Sequence, residues 1–149
     1  MTERAAPPSA PGLLRGVIGP GEFVPMHSHD DPETFYVLDG ALEGLAFDVS
    51  GRPVWRTAEQ GDVWHVPPNA RHALRNAGAE PVTTLIITSL HLLRFFEDTG
   101  RPIDTWEQPL APPAPEVVAA FVAEAERHGH WLASPEENAA VGITVPPPA

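Results

Sequence analysis

The sequence contains no cysteine and no lysine among its 149 residues, and aromatic residues make up only 7% of it. Without cysteine the chain has no disulfide framework, thiolate nucleophile, iron–sulfur cluster or cysteine-based zinc site. Without lysine no side chain can form a Schiff base with a carbonyl substrate or with pyridoxal phosphate. Nine arginines stand against twenty acidic residues, and the resulting net charge of −11 disfavours binding to nucleic acid or to an anionic membrane surface.

Long hydrophobic runs are also absent. The most apolar stretch, residues 82–96, is too short and too polar to span a bilayer, and the first twelve residues contain no apolar leader segment. We therefore expect a cytoplasmic protein with no membrane role. The length of 149 residues suits one domain with a two-layer core.

Proline is the residue in excess, with nineteen copies, which favours a turn-rich β protein over a helical bundle. We divide the chain into a flexible tail at residues 1–11, a run of strands at 12–90, and a C-terminal helical extension with a Pro-rich tail at 91–149. The predicted strands are bounded by turn residues. They are Leu13–Ile18, Glu22–Ser28, Glu33–Asp39, Leu42–Val49, Val54–Thr57, Asp62–Pro67, Arg71–Asn76 and Val82–Ser89.

The last third of the chain changes to a helical period. One short helix is predicted over His91–Asp98, with Gly100 as its C-terminal stop, and a second begins at Pro115 and ends before Gly129. The second helix has one apolar face, formed by Val117, Val118, Phe121, Val122 and Ala125. Some strands, such as residues 34–38, are apolar at consecutive positions, which indicates a closed barrel covered outside by a helix or a second subunit.

Two segments carry residues with metal-binding chemistry. In the first, His27 and His29 stand two residues apart on a predicted strand, so both imidazoles project from one face and can reach the same ion. Glu33 follows a turn and opens the next strand, which returns its carboxylate to this pair. A third imidazole has to come from elsewhere, and His72 lies in a second patterned segment at residues 61–76.

These segments resemble the paired motifs of the cupin superfamily. The first motif consists of a glycine, a His-X-His pair, a glutamate and a second glycine, and it is complete at Gly21, His27, His29, Glu33 and Gly40. The second motif is matched at Gly61, Pro67, His72 and Asn76, with Asn69 where the family has glycine. Asparagine also tolerates a left-handed backbone, so the departure is mild. The resemblance covers about residues 12–90.

The resemblance implies an all-β fold, the cupin conserved β-barrel (a double-stranded β-helix or jelly roll), with one or two short C-terminal helices. It also implies one divalent transition metal per subunit, bound by His27, His29, Glu33 and His72. Such ligands suit iron, which we expect first, and also manganese, nickel, cobalt, copper or zinc. Four protein ligands leave positions open for water, substrate or dioxygen. Cupin barrels usually pair, so we expect a homodimer.

Three functions fit this site. The first is a non-haem, metal-dependent dioxygenase similar to the quercetinase-like cupins, an oxidoreductase acting on a small enol or aromatic substrate. In it Glu33 is either a ligand or, after swinging away, the catalytic base. The second is a zinc-dependent polyketide cyclase or isomerase that needs no oxygen. The third is a non-catalytic cupin that binds a small molecule.

The other polar and aromatic candidates receive structural interpretations. The remaining histidines are predicted to be ordinary core or surface residues: His65, His91, His128 and His130. Asp30 and Asp31 are either acceptors behind the metal ligands, charges on a lid, or parts of an ordinary turn before a proline, and we favour the turn. Strand parity with Glu33 and His72 directs three apolar side chains into the barrel, namely Phe35, Val37 and Leu74. The side taken by Trp64 stays open.

Overall fold

Turn residues divide the N-terminal part of the chain into short strands that pair antiparallel in two sheets. The computed structural model describes residues 10–100 and 114–145. Its strands are β1 (Pro11–Ile18), β2 (Phe23–Ser28), β3 (Glu33–Asp39), β4 (Ala41–Phe47), β5 (Pro53–Glu59), β6 (Val63–Val66), β7 (His72–Arg75), β8 (Val82–Ser89) and β9 (Trp131–Leu132). Its helices are α1 (Leu90–Thr99), α2 (Pro115–Arg127) and α3 (Pro135–Ala140). One sheet has the order β1-β8-β3-β6 and the other β5-β4-β7-β2-β9, which confirms the predicted double-sheet fold.

The strand boundaries follow the turn residues closely. β3 and β8 have the predicted bounds, and β1, β2 and β4 to β7 differ from the prediction by at most two residues. Asn76 holds the turn after β7. Its buried amide donates to the carbonyls of Ile18 and Glu80 at 3.0 and 2.8 Å, and its oxygen accepts the Gly78 N–H at 2.9 Å.

The main core lies between the two sheets. Phe35, Val37 and Leu74 are 2%, 0% and 4% exposed, which confirms the prediction that they point into the barrel. The other buried members of this cluster are Leu42, Ala58, Val66 and Val82. Burying side chains of this size contributes about 1.5–3 kcal/mol each.

The opposite side of the β1-β8-β3-β6 sheet carries several exposed apolar side chains, together with the polar side chains of Arg15 and His65. Several of its apolar side chains remain more than one third exposed within a single chain, so the predicted cover by a second subunit stays a prediction. Strand pairing places these residues on one side, and we call them the outer apolar face. Its exposed members are Leu13, Val17, Tyr36, Val63 and Ile87.

The C-terminal part adds more structure than the sequence predicts. α3 goes beyond the predicted one or two helices, and β9 is a short strand that pairs with β2. α3 begins with a capping box, in which the Ser134 hydroxyl accepts the Glu137 N–H and the Glu137 carboxylate accepts the Ser134 N–H. The Ser-Pro-Glu-Glu sequence is a recognisable start signal for this helix.

Two details of α1 and α2 differ from the predictions. α1 stops before Gly100, but that glycine has an extended φ of −72° rather than a left-handed one. A Cβ there would lie 2.6 Å from the Phe96 carbonyl oxygen, so only glycine fits at this position.

Of the predicted apolar face of α2, only Ala125 is buried, because α2 packs on α1 through its C-terminal half. Val117 and Val118 are 40% and 46% exposed.

The other predictions about how the chain is divided concern mostly residues that the structure does not describe. The N-terminal tail up to residue 9, most of the linker at 109–114 and the last four residues lie outside the described residues. The division of the chain at residues 12 and 91 stays a prediction. No helix in the described ranges is long and apolar enough to cross a membrane.

Candidate metal centre

The four predicted ligand residues come from both sheets and meet inside the barrel. His27 in β2 lies directly opposite His72 in β7, and His29 follows the end of β2. Glu33 opens β3 in the other sheet. One ligand atom from each of these residues lies within 4.8 Å of all the others. The structure therefore brings together the complete set that the sequence singled out.

A β-bulge in β2 precedes this cluster. The pairing with β7 runs from Val24 opposite Leu74 to His27 opposite His72, so β2 holds one extra residue in between. Pro25 lies in this stretch, where its missing N–H is not needed by the ladder. Bulges commonly reorient side chains beside functional sites. Here the bulge sets the register that places His27 beside His72.

Each imidazole is oriented by a backbone carbonyl two residues away. The Nδ1 atoms of His27, His29 and His72 lie 2.8 Å from the carbonyl oxygens of Pro25, Asp31 and Ala70, respectively. Because an N–H must donate to a carbonyl, the proton of each neutral imidazole sits on Nδ1. Each Nε2 can then offer its lone pair to an ion. This arrangement is typical of histidines that bind metals.

The Nε2 atoms of His29 and His72 both approach the Glu33 carboxylate. Each lies 3.3 Å from Glu33 Oε2. The Nε2 atom of His72 is buried and has no hydrogen-bond partner within the described residues. A buried lone pair that faces a carboxylate oxygen is unfavourable unless a proton or a metal ion lies between them. Three imidazole nitrogens and one carboxylate oxygen form a donor set that fits a divalent transition metal.

The protonation behaviour of the cluster indicates the same need for positive charge. Burial lowers the pKa of His27 to about 3, and the neighbouring His72 adds to this shift. Burial acts to raise the pKa of Glu33, but its interactions with His29 and then His72 outweigh burial and hold the pKa at about 2. For His29, burial acts to lower the pKa, and Glu33 outweighs it, so the pKa is raised. Without an ion, a proton on His29 compensates the carboxylate.

A cleft of about 360 Å³ opens beside His72. We call it the barrel cleft. Its lining is mainly apolar, with Arg71 as a charged residue, and includes Leu45, Phe47, Trp64 and Val66. Trp64 lies on the inner side of its sheet, because its indole packs against Gly44, where a Cβ would approach the ring to 2.7 Å. The Trp64 ring also meets His72 edge-on, with centroids 6.4 Å apart.

Asp31 has a larger role than the predicted turn. Its carbonyl orients His29, and its buried carboxylate accepts hydrogen bonds from the Ser89 hydroxyl and from His91 Nδ1, the latter at 2.9 Å. The sequence gives no signal for the partners of this carboxylate, because Ser89 and His91 lie 58 and 60 residues away along the chain. The turn interpretation of Asp31 is therefore incomplete, since its side chain joins the metal-binding segment to the start of α1.

His130 is a further residue that sequence reasoning missed. Its ring centroid lies 5.3 Å from that of His29, and its Nε2 is buried without a hydrogen-bond partner in the described part of the chain. Burial lowers the pKa of His130 to about 4, and His29 adds to the shift. His130 is thus a neutral imidazole packed behind a ligand residue. His65, by contrast, is a surface residue that contacts the Thr34 hydroxyl at 2.8 Å.

Comparisons with known proteins agree with this architecture. A family model described as "Cupin domain" matches residues 14–88, half of the chain. Auxin-binding protein 1 of Arabidopsis thaliana is 30% identical over 81 residues, which cover 52% of this chain and 41% of that protein. The chain thus spans about two fifths of that relative's length.

Two solved structures are similar to part of this chain. A Cupin 2 conserved barrel domain protein from Salinispora arenicola is 21% identical with a TM-score of 0.48, covering 60% of this chain and 71% of that one. The DMSP lyase DddQ from Ruegeria pomeroyi is 24% identical with a TM-score of 0.45, covering 53% and 38%.

Proposed function

The chain belongs to the cupin family, and on that premise we propose that it is a metal-dependent dioxygenase acting on a small enol or aromatic substrate. The proposed centre holds one divalent transition metal per subunit, iron first, on His27, His29, Glu33 and His72. The observation that carries the proposal is the convergence of these four ligand atoms within 4.8 Å beside an apolar cleft. A dioxygenase places both oxygen atoms in its product, so no separate reductant is needed.

A bound redox-active ion would supply Lewis acidity and electron transfer to dioxygen. The chain's own contribution begins with Glu33, whose pKa of about 2 keeps it ionised at neutral pH. A group with so low a pKa is a weak base, so contact with both imidazoles favours the role of a ligand. To act as the catalytic base, Glu33 first has to leave His29 and His72. Burial without these partners then raises its pKa towards the useful range.

The barrel cleft supports a particular class of substrate. Its volume of about 360 Å³ is at the small end of the range for ligand pockets. Apolar walls at Leu45, Phe47 and Trp64 suit a flat, partly aromatic molecule, and they exclude water from the reacting atoms. Arg71 also lines the cleft, and its guanidinium stacks 4.1 Å from the Trp131 ring centroid. This cation suits an enolate or another anionic group on the substrate.

Two other functions have a specific basis. Imidazole and carboxylate ligands also suit zinc, which would serve a polyketide cyclase or isomerase that works without oxygen. The likeness to auxin-binding protein 1 instead favours a cupin that binds a small molecule such as auxin without turnover. These candidates differ from the dioxygenase in their need for oxygen and in turnover.

The decisive experiment combines metal content with oxygen uptake. Untagged protein is produced in medium containing iron, manganese, cobalt, nickel, copper and zinc, and metal per chain is measured by mass spectrometry. A redox-active metal near one per chain, with oxygen uptake on flavonol or enol substrates, supports the dioxygenase. Zinc near one per chain with anaerobic turnover contradicts it in favour of the cyclase or isomerase. Protein with little metal that binds auxin in a calorimeter contradicts both enzymes.

We also propose that the chain forms a homodimer through the outer apolar face. Exposed Leu13, Val63 and Ile87 form part of this face on one sheet. Several exposed apolar side chains on one side of a sheet are typical of interaction sites in soluble proteins. A second copy of the chain would provide the burial that the consecutive apolar residues of β3 and β8 indicate.

A further inference from the structure

A second pair of imidazoles meets outside the barrel, where α1 begins and α2 ends. His91 is the second residue of α1, and His128 directly follows α2. His91 Nε2 and His128 Nδ1 lie 3.4 Å apart, with ring centroids at 5.3 Å. With Glu124 and Arg127 they line an open cleft of about 440 Å³, which we call the interhelix cleft. None of these residues belongs to the barrel centre.

Each of the two rings has a carboxylate behind it. His91 Nδ1 lies 2.9 Å from Asp31 Oδ2, and His128 Nε2 lies 3.1 Å from Glu124 Oε1. A carboxylate accepts a hydrogen bond, so it holds the proton of a neutral imidazole on the nitrogen that faces the carboxylate. The two nitrogens that face each other then both present lone pairs. Such an arrangement is repulsive until a proton or a metal ion lies between them.

The geometry matches a shared metal ion. Zinc–imidazole bonds of about 2.0–2.1 Å at a tetrahedral angle place two ligand nitrogens about 3.3 Å apart, close to the separation of His91 and His128. A carboxylate on the far nitrogen is also the common support for metal-binding histidines.

Both supporting carboxylates are themselves held in place. Asp31 is buried and accepts from Ser89, and Glu124 pairs with Arg127. The two carboxylates and one guanidinium leave a net negative charge around the cleft, which favours a cation.

We propose that His91 Nε2 and His128 Nδ1 bind a second transition-metal ion, such as Zn²⁺ or Cu²⁺, in the interhelix cleft. The ion would link the start of α1 to the end of α2, with its other positions open to water or a small anionic ligand. The His91 side chain is 57% exposed, so this ion exchanges with solvent and binds more weakly than one held by four protein ligands.

The test is a titration with Zn²⁺ of protein whose barrel centre is already loaded and freed of excess metal. Isothermal calorimetry should show a further binding event near one ion per chain. The substitutions His91→Gln and His128→Gln should each remove that event while leaving the first metal in place. His65→Gln, at another surface histidine, should keep it. The Cu²⁺-loaded second site should show nitrogen couplings in its electron paramagnetic resonance spectrum.

A second variant guards against loss of folding. Glu124→Gln lies on the helix surface, and loss of its charge behind His128 should weaken the second event by about 10–100-fold. Absence of a second event in the wild type would overturn the proposal. Persistence of the event in both histidine variants would also overturn it. Turnover is not a readout, so the outcome does not depend on which reaction the barrel centre catalyses.

Discussion

At the scale of single residues, the ligand imidazoles are oriented by their own neighbourhoods. His27, His29 and His72 each donate Nδ1–H to a carbonyl two residues away, so their side-chain orientations are set within short segments of chain. Glu33 reaches them from the opposite sheet and supplies the negative charge. Local orientation of this kind reduces the reorganisation needed when an ion binds.

Replacing one ligand should therefore empty the centre without unfolding the barrel. Changing a residue that only hydrogen-bonds to a metal ligand lowers metal affinity by about 10–100-fold. We expect His72→Ala, which removes a ligand itself, to lower it by more. Metal per chain, measured by mass spectrometry after dialysis, checks this. His65→Ala is the matched control, because His65 also lines the barrel cleft but is not in the ligand group. Full metal content in His72→Ala would remove His72 from the assignment.

Asn69 tests the one departure from the family motif. Its φ is +61°, which confirms the left-handed backbone that the motif's glycine implies. Its N–H donates to the His29 carbonyl at 2.7 Å, and its side chain donates to Asp30 at 3.0 Å. We expect Asn69→Ala to lower the free energy of unfolding by about 1–2 kcal/mol, because alanine resists this conformation. Asn69→Gly should cost less. Urea unfolding measures the free energy of unfolding of both variants. Equal losses of stability would contradict the argument that the left-handed backbone is the cause.

At the scale of elements, the C-terminal segment completes the bulged strand beside the metal centre. The bulge takes Met26 out of the ladder with β7, and Asn138 in α3 supplies the acceptor for its N–H at 2.8 Å. The Met26 carbonyl accepts the Ala133 N–H at 3.0 Å. β9 pairs with His27 and Ser28 directly afterwards. Residues 131–138 thus bind the strand that carries the first ligand.

Truncating Asn138 should loosen this attachment. Its buried amide also donates to the carbonyls of Ala133 and Ser134 at 3.1 Å each. We expect Asn138→Ala to lower the free energy of unfolding by about 1–3 kcal/mol, because the buried Met26 N–H loses its acceptor. Ala139→Ser, at an exposed position of the same helix, should change it by less than about 0.5 kcal/mol. Urea denaturation provides both values, and similar values for the two would refute the proposed attachment.

These elements also show which parts could be predicted from the sequence. Gly and Pro turns and the close spacing of His27, His29 and Glu33 are local patterns, and they predicted the strands and part of the candidate cluster. The double-sheet fold and the full ligand set with His72 followed from the resemblance to the cupin motifs. The role of Asp31 depends on Ser89 and His91, which no periodicity connects to it. β9 has two residues, too few for a strand pattern, and it exists because β2 offers a free edge. The ligand set does not determine the reaction, since one donor set suits several metals.

At the scale of the whole molecule, charge and apolar surface have opposite effects on association. The chain has a net charge of −11, so two copies repel each other at a distance. The outer apolar face offers hydrophobic burial at contact, with Leu13 and Val63 at 59% and 62% exposed. Salt screens the repulsion within about 8 Å at physiological ionic strength and leaves the apolar attraction in place. The balance predicts a dimer that tightens as salt rises.

Light scattering coupled to gel filtration tests that balance. We expect twice the chain mass for the wild type, and a dissociation constant that falls between low and physiological salt. Leu13→Asp and Val63→Asp should each shift the protein to monomer, because each places a charge in the outer apolar face. Val49→Asp is the control, since Val49 is fully exposed in the turn between β4 and β5 and belongs to no part of that face. A monomeric wild type, or dimers that survive both substitutions, would show that the face does not pair two chains. A partner other than a second copy would then have to cover the exposed apolar residues of this face.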